Sequence, residues 1–292
     1  MIKKLDIVFL VLLLLLAFGS SWFNLRKYPV LDFREEATVE ESEVEKPEDE
    51  EPAIPDFAEI RDVKTKKTTF FAFMKELVDA ENARLYQLRL EILALHEKEE
   101  LRKTERQRLF EIAGDYRLDW NTIPEETLYG ELLNRVDEIP VSLALVQAAN
   151  ESAWGTSRFA LNANNFFGQW CFTEGCGLVP TRRPEGASFE VRKFDTVADS
   201  VRSYMYNLNS NHHYSGLREM RLKLRQQGKP VTGPVLAHGL YSYSIRGGDY
   251  VDELITMIAV NDLLRYDLAK AEKKTELQDD RRLPERKFDN KN

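Results

Sequence analysis

The sequence predicts an α+β chain, mostly helical, with a small β-hairpin lobe and a helical region ahead of the main domain. Three observations lead there. Aliphatic residues recur at three- and four-residue spacing through much of residues 61–137 and again in Thr196–Asn209 and Leu254–Leu263, as helices packed by one face require. Residues 170–194 break that period: Trp170, Cys171 and Phe172 start one strand, Pro180–Gly186 makes a turn, and Ser188–Phe194 returns. Between the two regions lies VSLALVQAANESAWGTSRFALNANNFFGQW, Val141–Trp170, which opens as a helix.

The chain has 292 residues, a net charge of −8 and 31% charged residues, which excludes a nucleic-acid binder working through a basic face. Lys3 and Lys4 precede an apolar run, Ile7–Phe18, followed by Gly19, Ser20 and Ser21. That order describes an export segment over residues 1–24. Ala17-Phe18-Gly19 offers small residues for cleavage, but the run extends through Trp22 and Phe23 toward the ~20 residues of a membrane span. The preferred expectation is an uncleaved single-pass anchor, with Lys3 and Lys4 inside and the rest outside.

Residues 34–60 are rich in Glu and Pro and nearly free of aromatic residues, so they are expected as a disordered acidic tether. About twenty such residues span roughly 25 Å as a coil and up to about 65 Å extended. The preface, 61–137, holds three expected helices. Leu85, Leu88, Ile92 and Leu95 mark the first; Lys103–Ala113, closed by Gly114, is the second. A third starts at Thr122, whose hydroxyl and Glu125 suit a capping box, and presents Leu128, Leu132, Leu133 and Val136.

The domain proper is expected over 138–268. Pro140 suits the first turn of its opening helix, good helix formers follow, and Gly155 is a stop. Glu151 then falls in the last turn, on the face it shares with Ala144, Gln147 and Ala148. An apolar face, partial burial and the negative end of the helix dipole all raise a carboxyl pKa. A carboxyl held protonated near neutral pH is what a general acid for glycosidic cleavage requires. Most glutamates at helix ends are simply solvated, so the surrounding residues must decide.

Downstream, Cys171 and Cys176 are separated by four residues in a Gly-containing loop; in an exported chain they read as a disulfide. Zinc would need two further ligands, and none of the four histidines has the spacing, so no metal or cofactor is expected. Val197, Val201, Tyr204, Met205 and Leu208 line one helix, His212 and His213 fall in a loop, and a short helix ends near His238. Asp249 suits the cap of a final helix with Leu254, Ile255, Ile258 and Leu263 buried. Residues 269–292 are expected as a loose charged tail.

ALVQAANESAWGTSRFA followed by NNFFGQW resembles the glucosaminidase (glycoside hydrolase family 73-like) domain of bacterial cell-wall hydrolases. In that family A-x-x-E-S-x-W-G-x-S carries the catalytic acid and N-N-x-F-G opens the next lobe. FDTVADSVRSYMYNL resembles the segment after the lobe, and Tyr243 and Tyr250 fall in the two positions of its Y-x-x-x-x-x-Y motif. Upstream, the match is similar to bacterial Bax-type proteins. The resemblance implies a lysozyme-like domain cleaving a β-1,4 bond in peptidoglycan, most simply an endo-β-N-acetylglucosaminidase on the inner membrane facing the periplasm. It implies Glu151 as acid, Tyr243 near the sugar C2 substituent, and Asn165, Phe167, Trp170 and Tyr250 along the cleft. Its partners would be glycan strands and the inner membrane, not nucleic acid.

The sequence departs from the family at one place. Where many members carry a second acid on the hairpin, this chain has Thr181, Arg182 and Arg183; Glu174, Glu185 and Glu190 are nearby but do not align. A substrate acetamido group can replace that second carboxylate. Two alternatives stay open: a lytic transglycosylase, which also works from one glutamate, and a non-catalytic wall-binding or scaffold protein.

Overall fold

The computed structural model describes residues 52–280 apart from residue 182. The expected anchor, 1–24, and the tether up to residue 51 lie outside the described residues. Among the described residues no helix is long and apolar enough to cross a membrane.

A long helix, α1 (Val63–His96), is followed by α2 (Lys103–Asp115), α3 (Glu125–Arg135), α4 (Val141–Glu151) and α5 (Arg158–Ala163). Three short strands follow: β1 (Trp170–Cys171), β2 (Gly177–Leu178) and β3 (Glu190–Arg192). The chain then returns to helix, with α6 (Val197–Ser210), α7 (Ser215–Gln226), α8 (Gly233–Ala237), α9 (Gly248–Val260) and α10 (Leu264–Asp280). Short 3₁₀ turns at His212–Tyr214 and His238–Leu240 join α6 to α7 and follow α8. The fold is the mostly helical, lysozyme-like α+β arrangement expected. Its lobe is a three-stranded antiparallel sheet in the order β1-β3-β2 rather than a simple hairpin, with Trp170 opposite Val191 and Leu178 opposite the same residue.

Helix α4 sits at the centre. Val141 through Ala149 is buried without a break, because α1, α8, α9 and α10 pack around it. Each large aliphatic so enclosed contributes about 1.5–3 kcal/mol. Pro140 offers no side-chain cap at the start of α4. The cap comes instead from α10: Asp267 Oδ1 accepts the Ser142 N–H at 3.0 Å, and Oδ2 accepts the Ser142 hydroxyl at 2.5 Å and the Gly233 N–H at 2.9 Å. Gly233 is required there, since a Cβ would lie 2.1 Å from Ser142 Oγ.

The preface is part of this core. Phe70, Met74 and Val78 of α1 are buried with the α4 residues, and the Asn82 amide clamps Ile139, accepting its N–H and donating to its carbonyl, both at 2.9 Å. A second fastening is ionic. Asp137 is buried and meets Arg225 in a two-bond contact at 2.5 and 2.6 Å, with Arg221 Nε at 3.5 Å and Arg89 at 3.8 Å. Arg221, itself fully buried, also donates to the carbonyls of Asp137, Glu138 and Asn134. Thus α1, the link into α4, and α7 share one charged knot.

Four expectations need correction. The tether does not run to residue 60: Phe57 is 1% exposed and packs on Phe70 and Phe73 at 5.3 and 5.9 Å between ring centres. An aromatic residue that finds a pocket outweighs the acidic composition around it. The capping box fails, because α3 begins behind Pro124 and the Thr122 hydroxyl donates to the Asp119 carbonyl. Asp249 lies within the first turn of α9, behind Gly247 at the cap. The charged tail is helical through Asp280, held in its first turn by Asp267. Helix α7 was not foreseen, since it buries Arg218 and Arg221 where an apolar count looks for aliphatics.

The ionic knot makes a measurable claim. Burial alone would raise the Asp137 pKa, but Arg221, Arg225 and Arg89 outweigh it and hold it below the ordinary value. A lowered folded-state pKa stabilises the fold above the unfolded pKa, and this contribution is lost as pH falls through the folded pKa. Asp137→Asn should therefore cost about 3–5 kcal/mol near neutral pH by leaving Arg221 uncompensated. Urea unfolding at several pH values should show the gap between the two proteins closing in acid. A gap under about 1 kcal/mol at pH 7 would mean that the arginines are held by the carbonyls alone.

Candidate active site

Glu151 is the last residue of α4, and the chain turns sharply beyond it. Ser152 closes the helix, its hydroxyl donating to the Ala148 carbonyl at 2.6 Å and accepting the Gly155 N–H at 2.8 Å. Ala153, Trp154 and Gly155 then take φ of 50°, 59° and 78°. Two non-glycine residues in the left-handed region are costly by themselves, so packing must hold them. Trp154 meets Phe70 and Phe71 edge-on at 5.6 and 5.2 Å, with Lys67 above its ring. Gly155 lies against Phe57, where a Cβ would come within 2.3 Å of the ring. Ser152, Trp154 and Gly155 thus hold the turn behind the carboxyl, and four of their partners, Phe57, Lys67, Phe70 and Phe71, come from before α4.

The N-N-F-F-G stretch closes over that carboxyl from the other side. Asn164 ends α5 in the left-handed conformation and donates to the carbonyls of Phe194 and Asp195 at 3.1 and 2.9 Å. Asn165 is buried: its oxygen accepts the N–H groups of Phe167 and Gln169, and its nitrogen donates to the carbonyls of Gln169 and Arg192 at 2.9 and 2.8 Å. The Phe167 ring is buried too, stacked on Tyr204 at 4.0 Å and 8°. Gly168 has φ of +63°, and a Cβ there would lie 3.2 Å from Glu151 Oε2. The positive φ favours glycine there, and a side chain would crowd that carboxyl oxygen.

Glu151 Oε1 is held from α9. Tyr250 donates its hydroxyl to Oε1 at 2.8 Å, Gln147 donates its amide to the Tyr250 oxygen at 3.1 Å, and Tyr204 donates to the Gln147 oxygen at 2.6 Å. Tyr243 stacks parallel to Tyr250 with ring centres 5.8 Å apart and donates to the Phe167 carbonyl at 2.9 Å. Burial raises the Glu151 pKa above the ordinary carboxylate value, the Tyr250 hydrogen bond opposes it, and Glu253 and Arg246 act in opposite senses. Those last two pair with each other at 2.6 Å. Burial and the charge of Glu151 also push the Tyr250 hydroxyl far up, so it stays protonated as a donor.

Of the residues singled out in the sequence, Glu151, Tyr250, Tyr243 and the Phe167 carbonyl thus come together. Asn165 and the Phe167 ring do not present themselves to a ligand: both are buried and shape the turn. Trp170 is 56% exposed on β1 and stacks on Phe189 at 4.5 Å and 7°. The Cys171–Cys176 disulfide is formed. Glu190 lies with these sulfurs in a group of metal-ligating type. The sulfurs are bonded to each other, and the carboxylate accepts the N–H groups of Gly175 and Gly177 at 3.1 and 2.8 Å. Glu190 therefore braces the loop, while Glu174 and Glu185 are exposed. Sequence reasoning missed the roles of Gln147 and Tyr204; the one available signal was that Gln147 shares the face of Glu151.

The glucosaminidase family, described as mannosyl-glycoprotein endo-beta-N-acetylglucosaminidase, matches residues 127–263. "Protein bax" of Escherichia coli (strain K12) is 32% identical over 212 residues, which covers 73% of this chain and 76% of that protein. No solved structure matches the chain. The match takes in α4 through α9, which carry Glu151, Gln147 and the tyrosines around them, and the chain belongs to the Bax-type proteins with a glucosaminidase domain.

Proposed function

We propose that this protein hydrolyses a β-1,4 glycosidic bond of peptidoglycan as an endo-β-N-acetylglucosaminidase, with Glu151 as general acid. The carrying observation is the Glu151 carboxyl itself: at the end of a buried helix, one oxygen held by Tyr250 at 2.8 Å and the other beneath Gly168. Burial keeps a proton on it above the ordinary carboxylate range, and a proton donor is what the leaving glycosidic oxygen needs.

Tyr243 supports substrate assistance. Its hydrogen goes to the Phe167 carbonyl, so its oxygen retains lone pairs to accept the acetamido N–H of a bound N-acetyl sugar. So oriented, the acetamido carbonyl oxygen forms a bond to C1 while the C1–O bond to the leaving group breaks, and Glu151 gives its proton to that leaving oxygen. Water then attacks C1 of the cyclic intermediate, returns the acetamido group, and yields a proton to the Glu151 carboxylate. No second carboxylate is needed, which suits a lobe whose Glu190 is spent on its own loop. The exposed Trp170–Phe189 stack offers a flat apolar surface for a sugar face. The disulfide suits an oxidising compartment outside the cytoplasm, and the proposed setting is the periplasmic side of the inner membrane, with residues 1–24 as anchor.

Digestion of purified sacculi tests this reading. Glu151→Gln, which keeps the shape but cannot donate the proton, should lose 10²-fold or more at about unchanged helicity. Mass spectrometry of wild-type products should show reducing N-acetylglucosamine ends. Anhydro ends would replace the hydrolase by a lytic transglycosylase, and no cleavage at all would leave a wall-binding protein.

The pH profile provides a further check. Because the working form of Glu151 is protonated and its pKa is raised, activity should persist above the ordinary carboxylate range and fall as pH rises through the raised value. An alkaline limb at or below the ordinary carboxylate value would contradict it.

Tyr243→Phe should cost about tenfold or more by removing the acceptor for the acetamido group. Glu174→Gln and Glu185→Gln should each stay within about threefold of wild type. If either glutamate proved as essential as Glu151, a second carboxylate would be at work.

A further inference from the structure

Behind Tyr250 stand two residues that the proposed reaction does not itself require. Gln147 of α4 and Tyr204 of α6 are buried. The 2.6 Å between Tyr204 Oη and Gln147 Oε1 is the length of an O–H···O bond, and the 3.1 Å between Gln147 Nε2 and Tyr250 Oη is that of an N–H···O bond. The two lengths together fix the carboxamide with its oxygen toward Tyr204 and its nitrogen toward Tyr250. A Tyr250 oxygen that faces an N–H cannot send its own hydrogen there. The hydrogen goes to Glu151 Oε1 instead, at 2.8 Å.

We propose that Gln147 and Tyr204 are positioning residues for the acid: by directing the Tyr250 hydrogen onto Oε1, they leave Oε2, beneath Gly168, as the oxygen that carries and delivers the proton. This rests on the reading of Glu151 as the general acid. If the Gln147 amide were free to turn over, Tyr250 could donate inward to the amide oxygen and accept the Glu151 proton, withdrawing it from the leaving group. Tyr204 is kept from moving by the Phe167 ring stacked on it at 4.0 Å. Phe167 directly precedes Gly168, so adjacent residues steady the relay and uncover Oε2. The other ionisable groups that act on Glu151 or feel its charge are Arg246 and Glu253 around α9, Tyr243 ahead of it, and Tyr204 from α6. Tyr204→Phe changes no formal charge among them.

The test compares the full-length chain with Tyr204→Phe and Glu151→Gln. Two readouts are taken across pH: kcat and KM on peptidoglycan, and the ¹³C NMR titration of the Glu151 carboxyl. Tyr204→Phe, which frees the amide to turn over, should lose about tenfold in kcat with KM within about twofold. Its alkaline limb and its Glu151 titration should both move upward by about half a pH unit or more, because the carboxylate is less well solvated by hydrogen bonds. A folded variant with unchanged kcat and titration, or with only a lower melting temperature, would reduce the pair to core packing. If the variant does not fold, the wild-type hydroxyl proton of Tyr250 decides: an NMR contact to Glu151 supports the relay, and one to Gln147 overturns it. Loss in Glu151→Gln without effect in Tyr204→Phe sinks the relay alone, whereas an active Glu151→Gln sinks the reading beneath it.

Discussion

Everything in this molecule follows from having to bury α4 on all sides while its last residue is a carboxylic acid. A helix whose residues Val141 to Ala149 are all enclosed cannot stand at a surface with one apolar stripe. It needs neighbours all round, and the chain supplies them from both directions: α1 from before, α8, α9 and α10 from after. Even its first turn is satisfied from a distance, by Asp267. At the other end, roughly 16 Å away along eleven residues, the same enclosure meets Glu151. There it changes from a source of stability into a source of chemistry, because burial that favours aliphatic side chains disfavours a carboxylate.

That arrangement explains why the preface cannot be an accessory. Phe57 fills the space left by Gly155, and Phe70 and Phe71 hold Trp154 in a backbone conformation it would not adopt alone. Asn82 and the Asp137 knot then fix the approach to α4. The glutamate is aimed by residues more than sixty positions earlier in the chain as much as by its own motif.

Two kinds of hydrogen bonding divide the site. Asn164, Asn165 and Glu190 spend their polar atoms on backbone groups and so make rigid turns. Tyr250, Gln147 and Tyr204 form a side-chain chain whose members each have a choice of partner. The first kind places the walls, and the second sets which way a hydrogen points.

The sequence by itself determined the helix whose last turn carries Glu151, the pairing of Cys171 with Cys176 and the helical nature of the domain, because each is a local pattern: period, breaker and spacing. It also marked Gln147 as sharing the face of Glu151 without saying what it met. Only the tertiary structure decided that Asn165 and Phe167 shape a turn rather than line a cleft, that Glu190 braces the disulfide loop, and that α7 exists with buried arginines. It alone brought Tyr204 and Tyr250 to Gln147 from 57 and 103 residues away. The reason is physical: a polar side chain's role depends on which partner reaches it, and partners this far apart in the chain leave no mark on local composition.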